Sequence, residues 1–270
     1  MSTVKPLRVV IVGAAGRMGK EALRALNDSP EMEIVGAVVR SQAGVNAREI
    51  AGTSAVDLLL EADLGSVLER TKPDVVVDLS HSSVAVTNAR LATSVGASLV
   101  VGCTGLGEAE IREIAECVSA AGVGAIYAPN FAIGAVLMMR FAETAAKWIP
   151  DVEIIEMHHD RKEDAPSGTA LHTADLVIAA RTSEPTEMPK TLFKLEGARG
   201  GEREGVHIHS VRLPGLLAHQ QVIFGAPGEV LTIRHDAMDR SVYMGGLKLC
   251  VQKVSALPGL VVGLDKILFG

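Results

Sequence analysis

Leu7–Val12 (LRVVIV) is almost wholly apolar and stops at a glycine cluster, the pattern of a strand buried on both faces. Helical spacing follows over Arg17–Asn27, then a second β-branched run over Glu33–Val39 (EIVGAVV). After a stretch without a clear period, Val75–Leu79 predicts a strand and Ala85–Thr93 a helix. Leu99–Gly102, Glu108–Ala121 and Ala125–Ala128 continue the alternation as strand, helix and strand. Strands and helices taking turns in this way predict a parallel, doubly wound Rossmann sheet.

The pattern changes near residue 130. Ile133–Trp148 reads as a long apolar helix, and Val152–Met157 as a strand running into His158 and His159. Ala170–Arg181 is helical behind a Ser-Gly-Thr turn. From residue 191 onward strands prevail, over Gly205–Arg212, Gln221–Phe224 and Val230–Arg234, before a closing helix over Gly245–Val254. The fold class expected is therefore α/β: an N-terminal Rossmann domain plus a C-terminal α+β substrate domain with an open mixed sheet. Residues 1–129 and 240–270 are assigned to dinucleotide binding, and residues 130–239 to substrate binding and oligomerisation. No internal repeat or low-complexity linker interrupts this reading.

Composition narrows the function classes. Apolar residues make up 48% of the chain, which argues against disorder. The net charge is −6, with no Lys/Arg-rich run, so nothing in the charge favours nucleic acid as a partner. Cys103, Cys117 and Cys250 lie far apart, so neither a disulfide framework nor a thiolate metal site is expected. That cysteine usage points to a reducing, cytoplasmic location. No apolar stretch reaches the roughly 20 residues that span a bilayer. The N-terminal apolar run ends directly in glycines and reads as a strand, not as a signal peptide.

Those glycines are the first candidate site. Gly13-Ala14-Ala15-Gly16-Arg17-Met18-Gly19 sits between the first strand and the first helix. Glycines there let the backbone approach a pyrophosphate, and the helix N-terminus stabilises its charge. At the end of the second strand a carboxylate normally holds the ribose hydroxyls of NAD, but this chain reads Val38-Val39-Arg40-Ser41. Arg40 and Ser41 suit a 2′-phosphate, so NADPH is expected as the preferred cofactor, with NADH a second choice.

A second site is dense in polar chemistry: Glu156-Met-His158-His159-Asp-Arg-Lys162-Glu-Asp164-Ala-Pro166-Ser167-Gly168-Thr169. Adjacent histidines at a strand end point to opposite sides. The Ser-Gly-Thr turn opens a helix whose free N–H groups suit a carboxylate. Histidine and lysine supply proton donation and cationic binding, as reduction of a small dicarboxylate requires. His207 and His209 share a strand face, but without a nearby third ligand they do not make a zinc site, and no metal is expected.

The E-x-H-H-x-x-K-x-D-A-P-S-G-T-A segment resembles the signature of the 4-hydroxy-tetrahydrodipicolinate (dihydrodipicolinate) reductase family. So do GAAGRMG, V-G-x-T-G around Gly102–Gly105, Ala128-Pro129-Asn130-Phe131, H-S-V-R at His209–Arg212, V-I-F near Phe224 and the His235…Arg240 stretch. The resemblance implies an NAD(P)H-dependent reductase of the diaminopimelate–lysine pathway that sends hydride to C4 of a ring from which water is lost. By it His158 is a proton donor or acceptor and Lys162 a second donor. His159, Ser167, Gly168, Thr169 and Arg240 bind the substrate carboxylates. Gly13 to Met18, Arg40, Gly102, Cys103, Thr104 and Ala128 to Phe131 line the cofactor. It also implies a homotetramer joined through the substrate-domain sheet, with domains that hinge over the ligands.

Four positions depart from the family pattern. Val39 stands where an acidic residue is frequent, and Cys103 where a threonine is common. Ala132 and Val136 replace a serine and an asparagine of the A-P-N segment. Two other readings stay open on sequence: another two-domain dehydrogenase, which has no need of H-H-x-x-K with D-A-P-S-G-T, and a non-catalytic NADPH sensor.

Overall fold

The computed structural model describes residues 5–52, 57–187 and 192–270. The first four residues of the stretch read above as not a signal peptide, and residue 191, lie outside them. The described chain divides into two compact units. The larger comprises residues up to Ile133 together with Arg240–Gly270, and the smaller is Gly134–Asp239.

In the larger unit β1 (Leu7–Val12), α1 (Arg17–Asn27), β2 (Met32–Val38), α2 (Ala47–Ala51), β3 (Leu60–Glu61) and α3 (Leu64–Thr71) come first. Next are β4 (Val75–Asp78), α4 (Ser82–Ser94), β5 (Ser98–Val101), α5 (Glu108–Ala121) and β6 (Ala125–Tyr127). α6 (Ile133–Ala146) starts at the unit boundary and belongs almost wholly to the smaller unit.

All seven strands of the first sheet are parallel, in the order β12-β6-β5-β4-β1-β2-β3, where β12 is Leu260–Val262. The order reverses between β1 and β4, the topological switch point at which ligands bind in such sheets. Every residue of β4 and β5 is buried, their apolar runs Val75–Val77 and Leu99–Val101 as well as Asp78 and Ser98 at the strand ends. Val10, Val76 and Leu99 pack with Ala85, Ala89 and Ala92 of α4 and with Ile114 and Val118 of α5. Each of the Val, Leu and Ile side chains among them contributes roughly 1.5–3 kcal/mol relative to exposure.

The stretch without a clear period holds α2, β3 and α3. The last is an eight-residue helix capped by Asp63, whose carboxylate accepts the Ser66 N–H at 2.6 Å. After a 3-10 turn at Arg240–Tyr243 come α8 (Met244–Lys253), β12 at the sheet edge and α9 (Asp265–Phe269). β3 and β12 are two and three residues long, too short for any hydrophobic period to betray them.

The smaller unit adds β7 (Asp151–His158), α7 (Gly168–Ala180), β8 (Gly201–Arg203), β9 (Val206–Arg212), β10 (Ala218–Ala226) and β11 (Glu229–Ala237). Its sheet runs β11-β10-β7-β9-β8, with β7 and β9 parallel and the other neighbours antiparallel. Here burial alternates. Val152 and Ile154 of β7, Val206 and Ile208 of β9, and Val222 and Phe224 of β10 form one core. Met138, Ala142 and Ala146 of α6 and Ala170, Ala174 and Val177 of α7 pack into it. Ile155, Met157, Val211 and Ile223 take the opposite face and are half-buried.

Candidate active site

The residues nominated for the cofactor all lie at the carboxyl ends of parallel strands: Gly13–Met18 after β1, Arg40 after β2, Gly102–Thr104 after β5 and Ala128–Phe131 after β6. Gly13 has φ +79°, and a Cβ there would stand 2.7 Å from the Leu79 carbonyl oxygen. A Cβ on Gly19 would overlap the Gly13 carbonyl oxygen and lie 2.7 Å from Ala14. Two of the glycines are thus demanded by close backbone packing of the turn. Gly16 is the N-cap of α1, with neither a side-chain cap nor an acidic residue in the first turn. Its exposed backbone, with that of Arg17 and the half-buried Ala15 and Met18, presents uncapped helix N–H groups. Ala14 is fully buried.

Arg40 and Ser41 are exposed, while Val39 is buried and donates its N–H to Glu61 O at 2.8 Å. An apolar side chain turned inward therefore fills the place of the frequent acidic residue, and Arg40 is the first side chain to face solvent.

Asp78, at the end of β4, is fully buried. Its carboxylate accepts from Ser80 N–H at 2.9 Å, Ser80 Oγ at 2.5 Å and Asn88 Nδ2 at 2.8 Å. Burial pushes its pKa up against the pull of these bonds. They pin the Leu79–Ser80 turn, the same backbone that leaves no room for a Cβ at Gly13.

Gly102 donates its N–H to Asp78 O at 2.8 Å, and a Cβ on it would meet the Phe131 ring at 2.5 Å. Cys103 is buried, and burial, reinforced by the Asp78 carboxylate, raises its thiol to about 11. It is a packing residue and not a nucleophile. Thr104 and Pro129 are exposed, Ala128 and Phe131 are buried, and Asn130 Oδ1 accepts the Ala132 N–H at 2.9 Å.

The smaller unit gathers the acid–base residues around one carboxylate. β7 continues its buried face, Val152 and Ile154, through Glu156 to His158. Glu156 is fully buried. Its Oε2 meets His158 Nδ1 at 2.5 Å and accepts Arg212 Nη1 at 2.9 Å, while Oε1 accepts Arg212 Nη2 at 2.7 Å and the Ser167 N–H at 3.2 Å. Burial alone would raise the Glu156 carboxyl. Hydrogen bonds from His158, Arg212 and Ser210 outweigh it and hold the group at about 2.

Arg212 also donates Nη2 to Asp164 O at 2.7 Å. Lys162 Nζ grips the Asp164 carboxylate at 2.6 and 2.8 Å, and that bond draws the Asp164 pKa down. Ser167 is the N-cap of α7, its Oγ accepting the Ala170 N–H at 3.2 Å, so both its polar groups are engaged inside the fold. Gly168 is exposed and Thr169 half-buried at the same helix end. His159 Nδ1 is buried without a hydrogen-bond partner. Arg240 lies half-buried in the 3-10 turn of the larger unit.

Arg212 and the central role of Glu156 escaped assignment from sequence, although both stand in segments singled out above. The signal was parity. A glutamate in step with Val152 and Ile154, and an arginine in step with Val206 and Ile208, fall on the core-facing side of their strands, where charge calls for a partner. Among the described residues no group of three or more His, Cys, Asp or Glu is placed to hold a metal ion, and no helix is long and apolar enough to cross a membrane.

Glycine turns at the switch point of a parallel sheet, followed by a mixed sheet with a buried carboxylate bonded to histidine and arginine, suit the two-unit Rossmann-type oxidoreductases, and this chain is one of that class. It belongs to the dihydrodipicolinate reductase family: residues 7–131 match the model of the family's N-terminus and residues 134–268 that of its C-terminus. It is 46% identical over 261 residues to the 4-hydroxy-tetrahydrodipicolinate reductase of Syntrophomonas wolfei, covering 97% of this chain and 98% of that one. With the enzyme of that name from Desulfitobacterium hafniense it shares 47% identity over 266 residues, 98% of this chain and 100% of the relative. A dipicolinate-bound dihydrodipicolinate reductase from Paenisporosarcina sp. TG-14 superposes with a TM-score of 0.86 at 40% identity, over 97% of this chain and 99% of that one.

Proposed function

We propose that this chain reduces 4-hydroxy-tetrahydrodipicolinate to tetrahydrodipicolinate with NADPH, in the cytoplasm, as a step toward diaminopimelate and lysine. The observation that carries this reading is His158, hydrogen-bonded through Nδ1 to a buried carboxylate and close in sequence to a lysine and to the Ser167-capped N-terminus of α7. The dipicolinate held by the Paenisporosarcina relative supports a planar ring with two carboxylates as the ligand class.

The glycine turn fits a dinucleotide, because a Cβ on Gly13 or Gly19 would fill it and α1 opens beside it uncapped. Gly13, Ala14, Ala15, Gly16, Arg17 and Met18 would hold the pyrophosphate. Gly102, Cys103, Thr104 and Ala128–Phe131 would line the nicotinamide side. Arg40 and Ser41 would take the 2′-phosphate, which makes NADPH the preferred cofactor and NADH the weaker one. When bound, the nicotinamide supplies the hydride that adds at ring C4.

The remaining work falls to the chain's own groups. His158 exchanges the proton that accompanies loss of water and reduction of the ring, using the nitrogen not bonded to Glu156. Lys162, steadied by Asp164, is the second proton donor. His159, Gly168, Thr169 and Arg240 neutralise the two carboxylates, and Ser167 frames the helix end that presents Gly168 and Thr169. The smaller unit's sheet also serves as the assembly surface of a homotetramer, which light scattering on the purified protein checks.

The direct test follows nicotinamide absorbance while a dihydrodipicolinate synthase generates the unstable substrate in situ. The expected result is oxidation that requires both pyruvate and aspartate semialdehyde, faster with NADPH than with NADH. Binding of NADPH without turnover would refute the assignment and favour a non-catalytic sensor.

A further inference from the structure

Three separate pieces of the smaller unit are fastened to Glu156. His158 reaches it from the end of β7, the Ser167 N–H from the start of α7, and Arg212 from β9. Arg212 in turn holds the carbonyl of Asp164, in the loop whose Lys162 is paired to the Asp164 carboxylate. The other groups around the carboxylate are uncharged or farther off. Ser210 faces it from β9 and Gln220 stands opposite in register on β10, with Gln220 Nε2 bonded to Thr173 Oγ1 of α7 at 2.7 Å. His235 of β11 lies one strand beyond Gln220.

From this geometry we propose that Glu156, held by Arg212, is the positioning residue of the reaction: it fixes the proton of His158 on Nδ1, leaves Nε2 to exchange the reacting proton, and locks the Lys162 loop and the α7 N-terminus to the same point. The inference rests on His158 being the proton-exchanging residue. A carboxylate can only accept at Nδ1, so that nitrogen is the one protonated in the neutral ring. The same carboxylate stabilises the imidazolium whenever Nε2 also carries a proton. Arg212 is needed because a buried carboxylate without a cationic partner would tend to take the proton itself. Its fork fits both oxygens, which a lysine cannot reproduce.

The test is Glu156→Gln in the full-length protein, alone and combined with His158→Gln. The Oε1 position faces two fixed donors, Arg212 Nη2 and the Ser167 N–H, whereas Oε2 faces one, Arg212 Nη1, beside a His158 ring that can change tautomer, so the amide nitrogen is placed toward His158. There it donates to Nδ1 and drives the ring into the opposite tautomer. The expected loss in kcat is roughly 10²–10⁴-fold, with NADPH affinity unchanged. In the His158→Gln background the same substitution should lower kcat by no more than about twofold, because its target is gone.

A full, additive loss in the double variant would overturn the proposal while leaving His158's role standing. An unchanged kcat in His158→Gln alone would instead remove the reading beneath it. Should Glu156→Gln fail to fold, ring-nitrogen NMR of the unsubstituted protein decides. A neutral His158 protonated on Nδ1 is the expected signature, and one protonated on Nε2 refutes the idea.

Discussion

In β4 and β5 every residue is buried, whereas along β7 only every second one is, and this contrast sorts the chemistry of the two units. A parallel sheet covered on both faces keeps polar side chains to its strand ends, as with Ser98 and Asp78, and offers mainly backbone in the turns beyond them. The mixed sheet buries one face through alternate residues, and charge enters that face at its end, where the Glu156 carboxylate is bonded to both His158 and Arg212. One unit works with glycines that cannot carry a side chain, the other with side chains that cannot be exchanged.

The sharpest way to break this contrast is His158→Gln. On the proposed role it removes proton exchange and leaves the nominated cofactor residues intact, so kcat should fall about 10²–10⁴-fold while the KM for NADPH stays put. Steady-state kinetics against both substrates check it, and a KM effect alone would discard the proton role. Gly13→Ala attacks the other unit. The positive φ and the Leu79 carbonyl both oppose a Cβ, and strain of roughly 1–3 kcal/mol should weaken NADPH by about 10–100-fold. Dipicolinate binding, measured by calorimetry, should be untouched. Losing both ligands together would mean that the variant is unfolded or that the two sites are not separable.

Arg40→Ala should be milder, raising the KM for NADPH roughly tenfold and sparing NADH. Equal loss of both cofactors would show that Arg40 does not read the phosphate. Acid sharpens the comparison further. The folded pKa of Glu156 lies below its ordinary value, so the stabilisation it gives is complete above the usual carboxylate range and drains away as the pH falls through about 2. Denaturant midpoints across an acid series should show that loss, and Glu156→Gln should flatten it. The smallest effect is on thiol labelling of the native protein. Cys103 and Cys250, buried and raised to about 11 and about 12, should react far more slowly than the half-buried Cys117. Fast labelling of Cys103 would show that its loop opens.

The larger unit was readable almost residue by residue where its elements were long. The bounds of β1, α1 and α5 agree with those read from the apolar runs and helical spacing. What stayed hidden were the short pieces, β3, β8 and β12, which exist only because a neighbouring strand offers them hydrogen bonds. The glycine turn was legible because glycine is informative by itself. The Glu156–Arg212 pair was not, because its partners are separated by 56 residues and meet only through the parallel register of β7 with β9. Ser167 illustrates the same limit: its residue type suits a ligand clamp equally well as the helix cap that the structure makes of it.

The interruption of the larger unit by Gly134–Asp239 has a consequence for how such a chain tolerates change. Within the larger unit, the chain just before the break lies against the chain just after it: the Phe131 carbonyl abuts Gly246, and Ile133 approaches Gly245. Within the smaller unit, Gly134 lies against His235, so that piece too begins and ends in one place. A cassette with adjoining ends burdens its host with little closure entropy, since that term grows only logarithmically with the length inserted. Splicing with a short linker at the two junctions is therefore the natural route to exchange the smaller unit for another while the larger unit keeps its own wiring.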